Sequence, residues 1–167
     1  IHPADNQPLY FVVQIQDISE QKKSEEELAY QAYYDALTGL ANRIQLEHHV
    51  ETLITSSKRY HDKFAVFFLD LDKFKLINDL HGHQTGDEVL MIVSDRLLNC
   101  VSKSDMVARL GGDEFVIIVT AVTTDDALTQ LANKIIQSIS DTITINEQHF
   151  NISTSLGISI YPSDGND

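Results

Sequence analysis

A short turn of two glycines and two acids constrains this chain more than any other feature. Residues 106–110 and 115–119 are mostly apolar, and the turn lies between them. Its four residues are Gly111, Gly112, Asp113 and Glu114. This pattern predicts a tight β-hairpin with acids at its tip, and glycine lets a ligand approach the main chain closely. Adjacent carboxylates suit a hard divalent cation, although an ordinary polar hairpin tip has the same sequence.

A second acidic element follows the continuous apolar run at residues 64–69, which is typical of a strand buried on both faces. The run ends in Asp70, Leu71 and Asp72. Carboxylates at the end of a buried strand lie where sheets of α/β proteins commonly bind ligands. The alternative is that these acids end the strand and cap the next helix. Capping explains one acid but not the second acidic turn.

Four segments occur in a recognisable order. They are DALTGLANR at residues 35–43, FLDLDKFKLIND at 68–79, GHQTGD at 82–87 and RLGGDEF at 109–115. Together they resemble the GGDEF family of diguanylate cyclases over about residues 33–165. With four motifs in the right order, the chain is identified as a member of that family.

The predicted fold class is α+β, with a mixed, mostly antiparallel five-stranded sheet flanked by helices. The resemblance adds the topology of nucleotide cyclases and polymerase palms, which have a ferredoxin-like core. Apolar side chains recur at every second residue from Phe150 to Ile160, which predicts a half-buried strand. With Ile143 and Ile145 before a turn at residues 146–149, this strand is predicted to form a hairpin. Three helical stripes are predicted to be core. They are Leu46, Val50, Leu53 and Ile54; Val89, Leu90, Val93, Leu97 and Val101; and Leu128, Leu131, Ile135, Ile136 and Ile139.

Three parts are predicted along the chain. Residues 1–18 resemble the last strand of a PAS sensor domain, although a stray strand at the N-terminal boundary is the alternative. Residues 19–34 read as a signalling helix whose heptad seam is too polar to hold a dimer alone. Residues 35–167 are the GGDEF domain, which in the family continues into a Lys- and Arg-bearing helix that contacts the triphosphate and then a final strand. We therefore expect weak GTP binding and slow turnover from the sequence as given.

The resemblance implies a Mg²⁺- or Mn²⁺-dependent homodimer that condenses two GTP molecules into cyclic di-GMP and pyrophosphate. The implied catalytic residues are Asp70, Asp113 and Glu114. The implied metal ligands are these three carboxylates and the backbone carbonyl of Leu71. Asp113 is also expected to help deprotonate the attacking 3′-hydroxyl, whereas Asp72 is expected to have a local structural role.

The implied phosphate contacts come from Lys73, Phe74 and Lys75, where main-chain N–H groups at a helix start favour anions. Asn78 and Asp87 match the family's guanine readers. A carboxylate can accept hydrogen bonds from guanine N1–H and N2–H, a donor pair that adenine lacks. The alternatives are a helix-end role for Asn78 and an N-terminal helix cap for Asp87.

Two further expectations concern residues near the hairpin. Gly111 and Gly112 would leave room for the nucleotide, and Arg109 is expected to pair with a neighbouring acid rather than with phosphate. Many family members carry an inhibitory product site of the form Arg-x-x-Asp. Here Asp105 is kept but Ser102 replaces the arginine, which removes a bidentate cation. We therefore expect weak or absent product inhibition.

The composition limits the possible partners. The formal net charge of −13 argues against a nucleic-acid surface, and it requires metal ions for triphosphate binding. The single Cys100 fits a reducing compartment, and no apolar run is long enough to span a bilayer, so we expect a cytoplasmic domain without membrane contact. The expected neighbours in a longer chain are an upstream PAS domain and, because the C-terminal residues resemble such tandems, a downstream EAL phosphodiesterase domain.

Two other functions stay open. One is a catalytically silent GTP-binding regulatory module of a GGDEF-EAL sensor protein, which the full acidic set disfavours. The other is a dimerising scaffold driven by the helix from Ile18 to Ala32, which the polar seam of that helix disfavours.

Overall fold

The computed structural model describes residues 17–20, 30–120 and 124–165. The predicted PAS strand and most of the signalling helix lie outside these ranges. The helices are α1 (Arg43–Tyr60), α2 (Phe74–His81), α3 (His83–Cys100) and α4 (Asp125–Ser140). The strands are β1 (Phe64–Asp72), β2 (Met106–Gly111), β3 (Glu114–Val119), β4 (Ile143–Ile145), β5 (Gln148–Phe150) and β6 (Ser153–Tyr161). None of these helices combines the length and the apolar character that crossing a membrane requires.

The central sheet has the order β2-β3-β1-β6, and every pairing between its strands is antiparallel. The predicted antiparallel sheet with flanking helices is therefore confirmed. It differs from the prediction in strand number, because β4 pairs with β5 in a separate two-stranded ribbon. The strand predicted from Phe150 to Ile160 is divided, because Phe150 ends β5 and β6 begins at Ser153. β6 pairs with β1 along nine residues and so takes the sheet edge, while β4 and β5 pair only with each other. A parallel bridge between Ala41 and Ala108 flanks β2.

The two faces of the sheet follow the alternation of side chains along β1. Ala65, Phe67 and Leu69 are fully buried in the main core, which also holds the predicted stripes of α3 and α4. The opposite face packs against the α1 stripe in a smaller cluster. Two predictions of burial are wrong. Ile136 is 36% exposed, because it lies at the margin of the α4 stripe, beside the fully buried Ile135. Phe68, in the run predicted to be buried on both faces, is 44% exposed, because the cluster against α1 holds Phe64 and Val66 but does not extend to it.

Candidate active site

The acidic turn forms the predicted hairpin. β2 ends at Gly111 and β3 begins at Glu114, and these two residues pair across the turn. The register shifts between Arg109 and Gly111, so a β-bulge bends the strand just before the tip. Gly111 has φ 140° and Gly112 has φ 56°, values that L side chains rarely adopt. A Cβ built on either glycine meets no atom within 4 Å, so the space beside the tip is open.

The sheet brings the three predicted catalytic acids to one place. Asp70 pairs with Glu114 across β1 and β3, and the N–H of Leu71 donates to the main-chain carbonyl of Asp113 at 3.3 Å. Partial desolvation, followed by the charges of Asp113, Glu114 and Asp72, raises the pKa of Asp70. Mutual repulsion of this kind favours a bound cation.

The donor chemistry of this site fits a divalent metal, but the ligands are not preassembled. Carboxylate oxygens and a backbone carbonyl are the donors that hard cations prefer. Among the described residues, no group of three or more His, Cys, Asp or Glu side chains stands ready to hold a metal ion. The acids would therefore have to turn inward around the cation. The ligand set of Asp70, Leu71, Asp113 and Glu114 stays a prediction.

Asp72 has the local role that was expected of it. Ser153 and Ser155 on β6 donate to its two carboxylate oxygens at 2.7 and 2.8 Å. These hydrogen bonds lower the pKa of Asp72. Thr154, between the two serines, donates to the main-chain carbonyl of Asp70 at 2.9 Å. The end of β1 is thus fastened to β6 on the side opposite the hairpin, a contact that sequence reasoning missed.

The turn after β1 confirms the predicted helix start. Lys73 precedes α2 with a left-handed φ of 62°, and its carbonyl accepts a hydrogen bond from the N–H of Leu76 at 2.9 Å. Phe74, the first residue of α2, is buried, whereas Lys75 is exposed. The buried ring anchors the helix start while the lysine remains accessible to an anion.

The two predicted guanine readers lie on neighbouring helices. Asn78 is half-buried on α2, and its backbone carbonyl accepts from the N–H of Gly82 at 2.9 Å. Asp87 is exposed and is the fifth residue of α3, whose N-cap is Gly82. The capping alternative for Asp87 is therefore wrong, because this side chain lies more than a turn beyond the N-cap. Asn78 contributes to the helix end through its main-chain carbonyl, and this contact does not involve its side chain.

The expectation that Arg109 pairs with an acid is confirmed, and the acid is Asp35. The guanidinium donates to the Asp35 carboxylate at 2.9 Å and, through Nε and Nη2, to the carbonyl of Gly112 at 3.0 and 2.9 Å. Thr38 donates to the same carboxylate through its N–H and its hydroxyl. Burial alone would raise the pKa of Asp35, but the hydrogen bonds from Thr38 and then those from Arg109 hold it below its usual value. The Asp-x-x-Thr spacing was a signal for the local half of this network; nothing in the sequence indicated the contact with the hairpin tip.

The retained acid of the degenerate inhibitory site is engaged within its own loop. The Asp105 carboxylate accepts hydrogen bonds from the N–H of Ser102 at 3.0 Å and from the N–H of Thr120 at 3.2 Å. Ser102 itself is exposed. Asp105 therefore stabilises the turn before β2, whatever else it binds.

Comparisons with known proteins agree with this geometry. The family profile described as "Diguanylate cyclase, GGDEF domain" matches residues 32–167. The chain is 41% identical to signaling protein YkoW of Bacillus subtilis over 90% of its own length and 19% of that protein. It is 43% identical to the bifunctional diguanylate cyclase/cyclic di-GMP phosphodiesterase MucR of Pseudomonas aeruginosa, over 86% of its length and 21% of that protein.

Solved structures give the same result. A sensory box/GGDEF family protein from Caulobacter crescentus superposes with a TM-score of 0.75 at 35% identity, covering 80% of this chain and 86% of that one. The GGDEF domain of TpbB from Pseudomonas aeruginosa gives a TM-score of 0.75 at 34% identity, covering 80% and 79%. The chain spans about a fifth of the length of the first curated relatives. Diguanylate cyclases with a GGDEF domain generally use a divalent metal. On its motifs, fold and relatives, the chain belongs to the GGDEF-domain family of diguanylate cyclases.

Proposed function

We propose that this domain condenses two GTP molecules into cyclic di-GMP with release of two pyrophosphates. The observation that carries the proposal is the pairing of Asp70 with Glu114, which puts the acid at the end of β1 beside the acids of the hairpin tip. Partial desolvation, followed by the charges of Asp113, Glu114 and Asp72, raises the pKa of Asp70, as expected where carboxylates lie close together. Relatives whose names state diguanylate cyclase activity include MucR and DgcM.

The reaction needs help at both reacting groups. The 3′-hydroxyl of one GTP attacks the α-phosphate of the other; the new O3′–P bond forms as the bond to pyrophosphate breaks. A divalent cation, Mg²⁺ or Mn²⁺, supplies charge stabilisation at the phosphate and acidifies the hydroxyl when bound. Asp70, Asp113 and Glu114 would hold that cation together with the carbonyl of Leu71. Asp113 accepts the proton of the hydroxyl.

The remaining assignments position the substrate. The N–H groups at the start of α2, with Lys73 and Lys75, hold the terminal phosphates, and Phe74 fixes that turn from the core side. Asn78 and Asp87 bind the guanine. Gly111 and Gly112 leave the space that the nucleotide occupies, since nothing lies within 4 Å of a Cβ built there.

Condensation of two nucleotides requires two sites. We propose that each protomer of a homodimer presents one GTP to the other, in the cytoplasm, where GTP is available. The curated relatives are about five times longer than the part that this chain matches. This difference supports a place for the domain within a larger signalling protein, with a PAS sensor upstream and an EAL domain downstream.

The alternative function is a catalytically silent GTP-binding module within such a protein. The bifunctional name of MucR favours this alternative, because in such a protein a neighbouring domain could carry the enzymatic activity. The intact acid set opposes it, because binding of GTP alone does not require all three carboxylates.

Pyrophosphate release separates the two functions. The protein is incubated with GTP and Mg²⁺, and pyrophosphate is followed for wild type, for Asp113→Asn and for the control Asp95→Asn, an exposed acid on α3. We expect release by wild type and by the control, with a loss of at least about a hundredfold in Asp113→Asn. GTP binding without release, in wild type at high protein concentration, would support the silent module instead.

A further inference from the structure

The backbone conformation of α3 does not explain why one of its buried positions is a glycine. Gly86 is the fourth residue of the helix and is buried. It is not among the residues with positive φ, so any side chain could adopt its backbone angles. Alanine is more favourable than glycine at such a helical position. Glycine here therefore indicates a packing requirement.

The packing requirement comes from α2. A Cβ built on Gly86 would lie 1.9 Å from Oδ1 of Asn78, 2.9 Å from Cγ of Asn78 and 3.2 Å from Cζ of Phe74. Carbon atoms in contact are about 3.5–4.0 Å apart, so the first two contacts are impossible without movement. Gly157, by contrast, has no atom within 4 Å of a Cβ built on it.

The direction of the movement follows from what surrounds the two α2 residues. Phe74 and Asn78 are four residues apart and share one face of α2. Phe74 is 6% exposed and belongs to the main core, so its ring resists displacement. Asn78 is only half-buried, and the atoms that a Cβ at position 86 would meet are the outer atoms of its short side chain, which can change rotamer. A side chain at position 86 would therefore displace the Asn78 carboxamide first.

We propose that Gly86 is a positioning residue for base recognition. Its missing side chain lets the Asn78 carboxamide lie against α3 at the residue that directly precedes Asp87. The two guanine-binding groups are thereby held next to each other from separate helices. The inference rests on the proposed function, in which Asn78 and Asp87 bind the base.

Nucleotide selectivity tests this role, because a general loss of structure would weaken all nucleotides alike. Calorimetry measures the affinities of GTP and of ATP, each with Mg²⁺, for wild type, Gly86→Ala and the matched control Gly157→Ala. We expect Gly86→Ala to bind GTP about tenfold more weakly, as for the loss of one good hydrogen-bonding contact. ATP affinity and both affinities of Gly157→Ala should stay unchanged. An unchanged ratio of GTP to ATP affinity in Gly86→Ala would overturn the proposal.

A double-mutant cycle with Asn78→Ala identifies the pathway of the effect. Asn78→Ala removes Oδ1 and Cγ, the two atoms that collide with the new methyl group. The double variant should therefore fold even if Gly86→Ala alone fails to fold. We expect Gly86→Ala to have no further effect on GTP affinity in the Asn78→Ala background. Additive losses would show that Gly86 acts elsewhere. Absence of GTP binding by the wild type would instead refute the proposed function, and this inference with it.

Discussion

At the scale of single residues, the hairpin tip is held from behind by a charge network. Arg109, with a side chain only 10% exposed, links the carbonyl of Gly112 to the carboxylate of Asp35. Gly112 directly precedes Asp113, so the network fixes the backbone that presents the proposed catalytic acid. Asp35 also follows the helical residues 30–33 in the chain, so its contact with Arg109 ties that short segment to the hairpin.

The first prediction concerns Asp35→Asn. Loss of the charged acceptor should lower the free energy of unfolding at neutral pH by roughly 1–2 kcal/mol. The folded-state pKa of Asp35 is lowered, so its contribution is present above the ordinary aspartate pKa and is lost as the pH falls through the folded value. The difference between wild type and Asp35→Asn should thus shrink below about pH 4.

Urea unfolding across the pH range measures that difference. Asp95→Asn, at an exposed position on α3, serves as the control and should change stability little at any pH. A difference between wild type and Asp35→Asn that stays constant from pH 7 to pH 3 would contradict the assigned network.

Residue patterns predicted the acids of the site, but they did not predict the contacts that hold those acids in place. The acids at the end of β1 and in the turn before β3 are visible because each follows a local pattern of apolar residues. Their supports come from distant parts of the chain. The serines that hold Asp72 are 81 and 83 residues away, and Asp35 is 74 residues from Arg109. Such contacts depend on strand order and register, which a single sequence does not show.

At the scale of elements, α3 and α4 cap each other. Arg96 of α3 donates to the carbonyls of Ser138, Ile139, Asp141 and Thr142 at the end of α4. Lys134 of α4 donates in turn to the carbonyls of Asn99 and Cys100 at the end of α3. Neither helix has a basic residue in its own last turn. The orphan carbonyls of each helix are therefore satisfied by its neighbour.

The second prediction is that Arg96→Ala destabilises the fold more than substitution of a residue near the surface usually does. Four carbonyls lose a charged donor, and we expect a loss of roughly 2–3 kcal/mol in the free energy of unfolding. Chemical denaturation measures it. Arg59→Ala, an exposed arginine at the end of α1, is the control and should change stability by less than about 1 kcal/mol. Equal effects of the two substitutions would rule out the capping role.

The third prediction concerns the turn before β2. Asp105 is already positioned there by the N–H groups of Ser102 and Thr120, so only the arginine of the inhibitory motif is missing. Ser102→Arg should create binding of cyclic di-GMP that calorimetry detects, because the guanidinium supplies a bidentate cation. Wild type and the control Ser104→Arg should bind at least about tenfold more weakly. Tight binding by wild type would contradict the degenerate assignment.

Element types followed from periodicity, whereas their assembly did not. The stripes of α1, α3 and α4 predicted which helix faces are buried, whereas β1 was predicted to be buried on both faces and is not, because Phe68 is exposed. The pairing of β4 with β5 outside the main sheet could not be predicted from the sequence, because strands as short as these suit a ribbon and a sheet edge equally. The exposure of Ile136 has a similar cause, since the margin of a helical stripe depends on how much surface the neighbouring helix covers.

At the scale of the whole molecule, the charge balance ties function to cations. Twenty-five acidic residues against twelve basic ones give the net charge of −13. Such a surface repels GTP, and the repulsion is strongest where the acids at the hairpin are gathered. A divalent cation bound at the hairpin would reduce both the repulsion among the acids and their repulsion of GTP.

The fourth prediction follows from that relief. Mg²⁺ should raise the midpoint of thermal unfolding of wild type by more than an NaCl solution of equal ionic strength does, since binding to the folded state stabilises it. Asp70→Asn should lose this difference and should unfold at a higher temperature than wild type without Mg²⁺, because one repulsive charge is removed. Scanning calorimetry measures both effects. Equal responses of wild type and Asp70→Asn to Mg²⁺ would place the cation elsewhere.

The most direct measurement is identification of the product formed from GTP. Wild type, Asp113→Asn and the control Asp95→Asn are incubated with GTP and Mg²⁺ at high protein concentration, and the nucleotides are separated by chromatography and identified by mass. We expect cyclic di-GMP, with two pyrophosphates per molecule, from wild type and the control but not from Asp113→Asn. Unchanged GTP after incubation of wild type, despite measurable GTP binding, would contradict it.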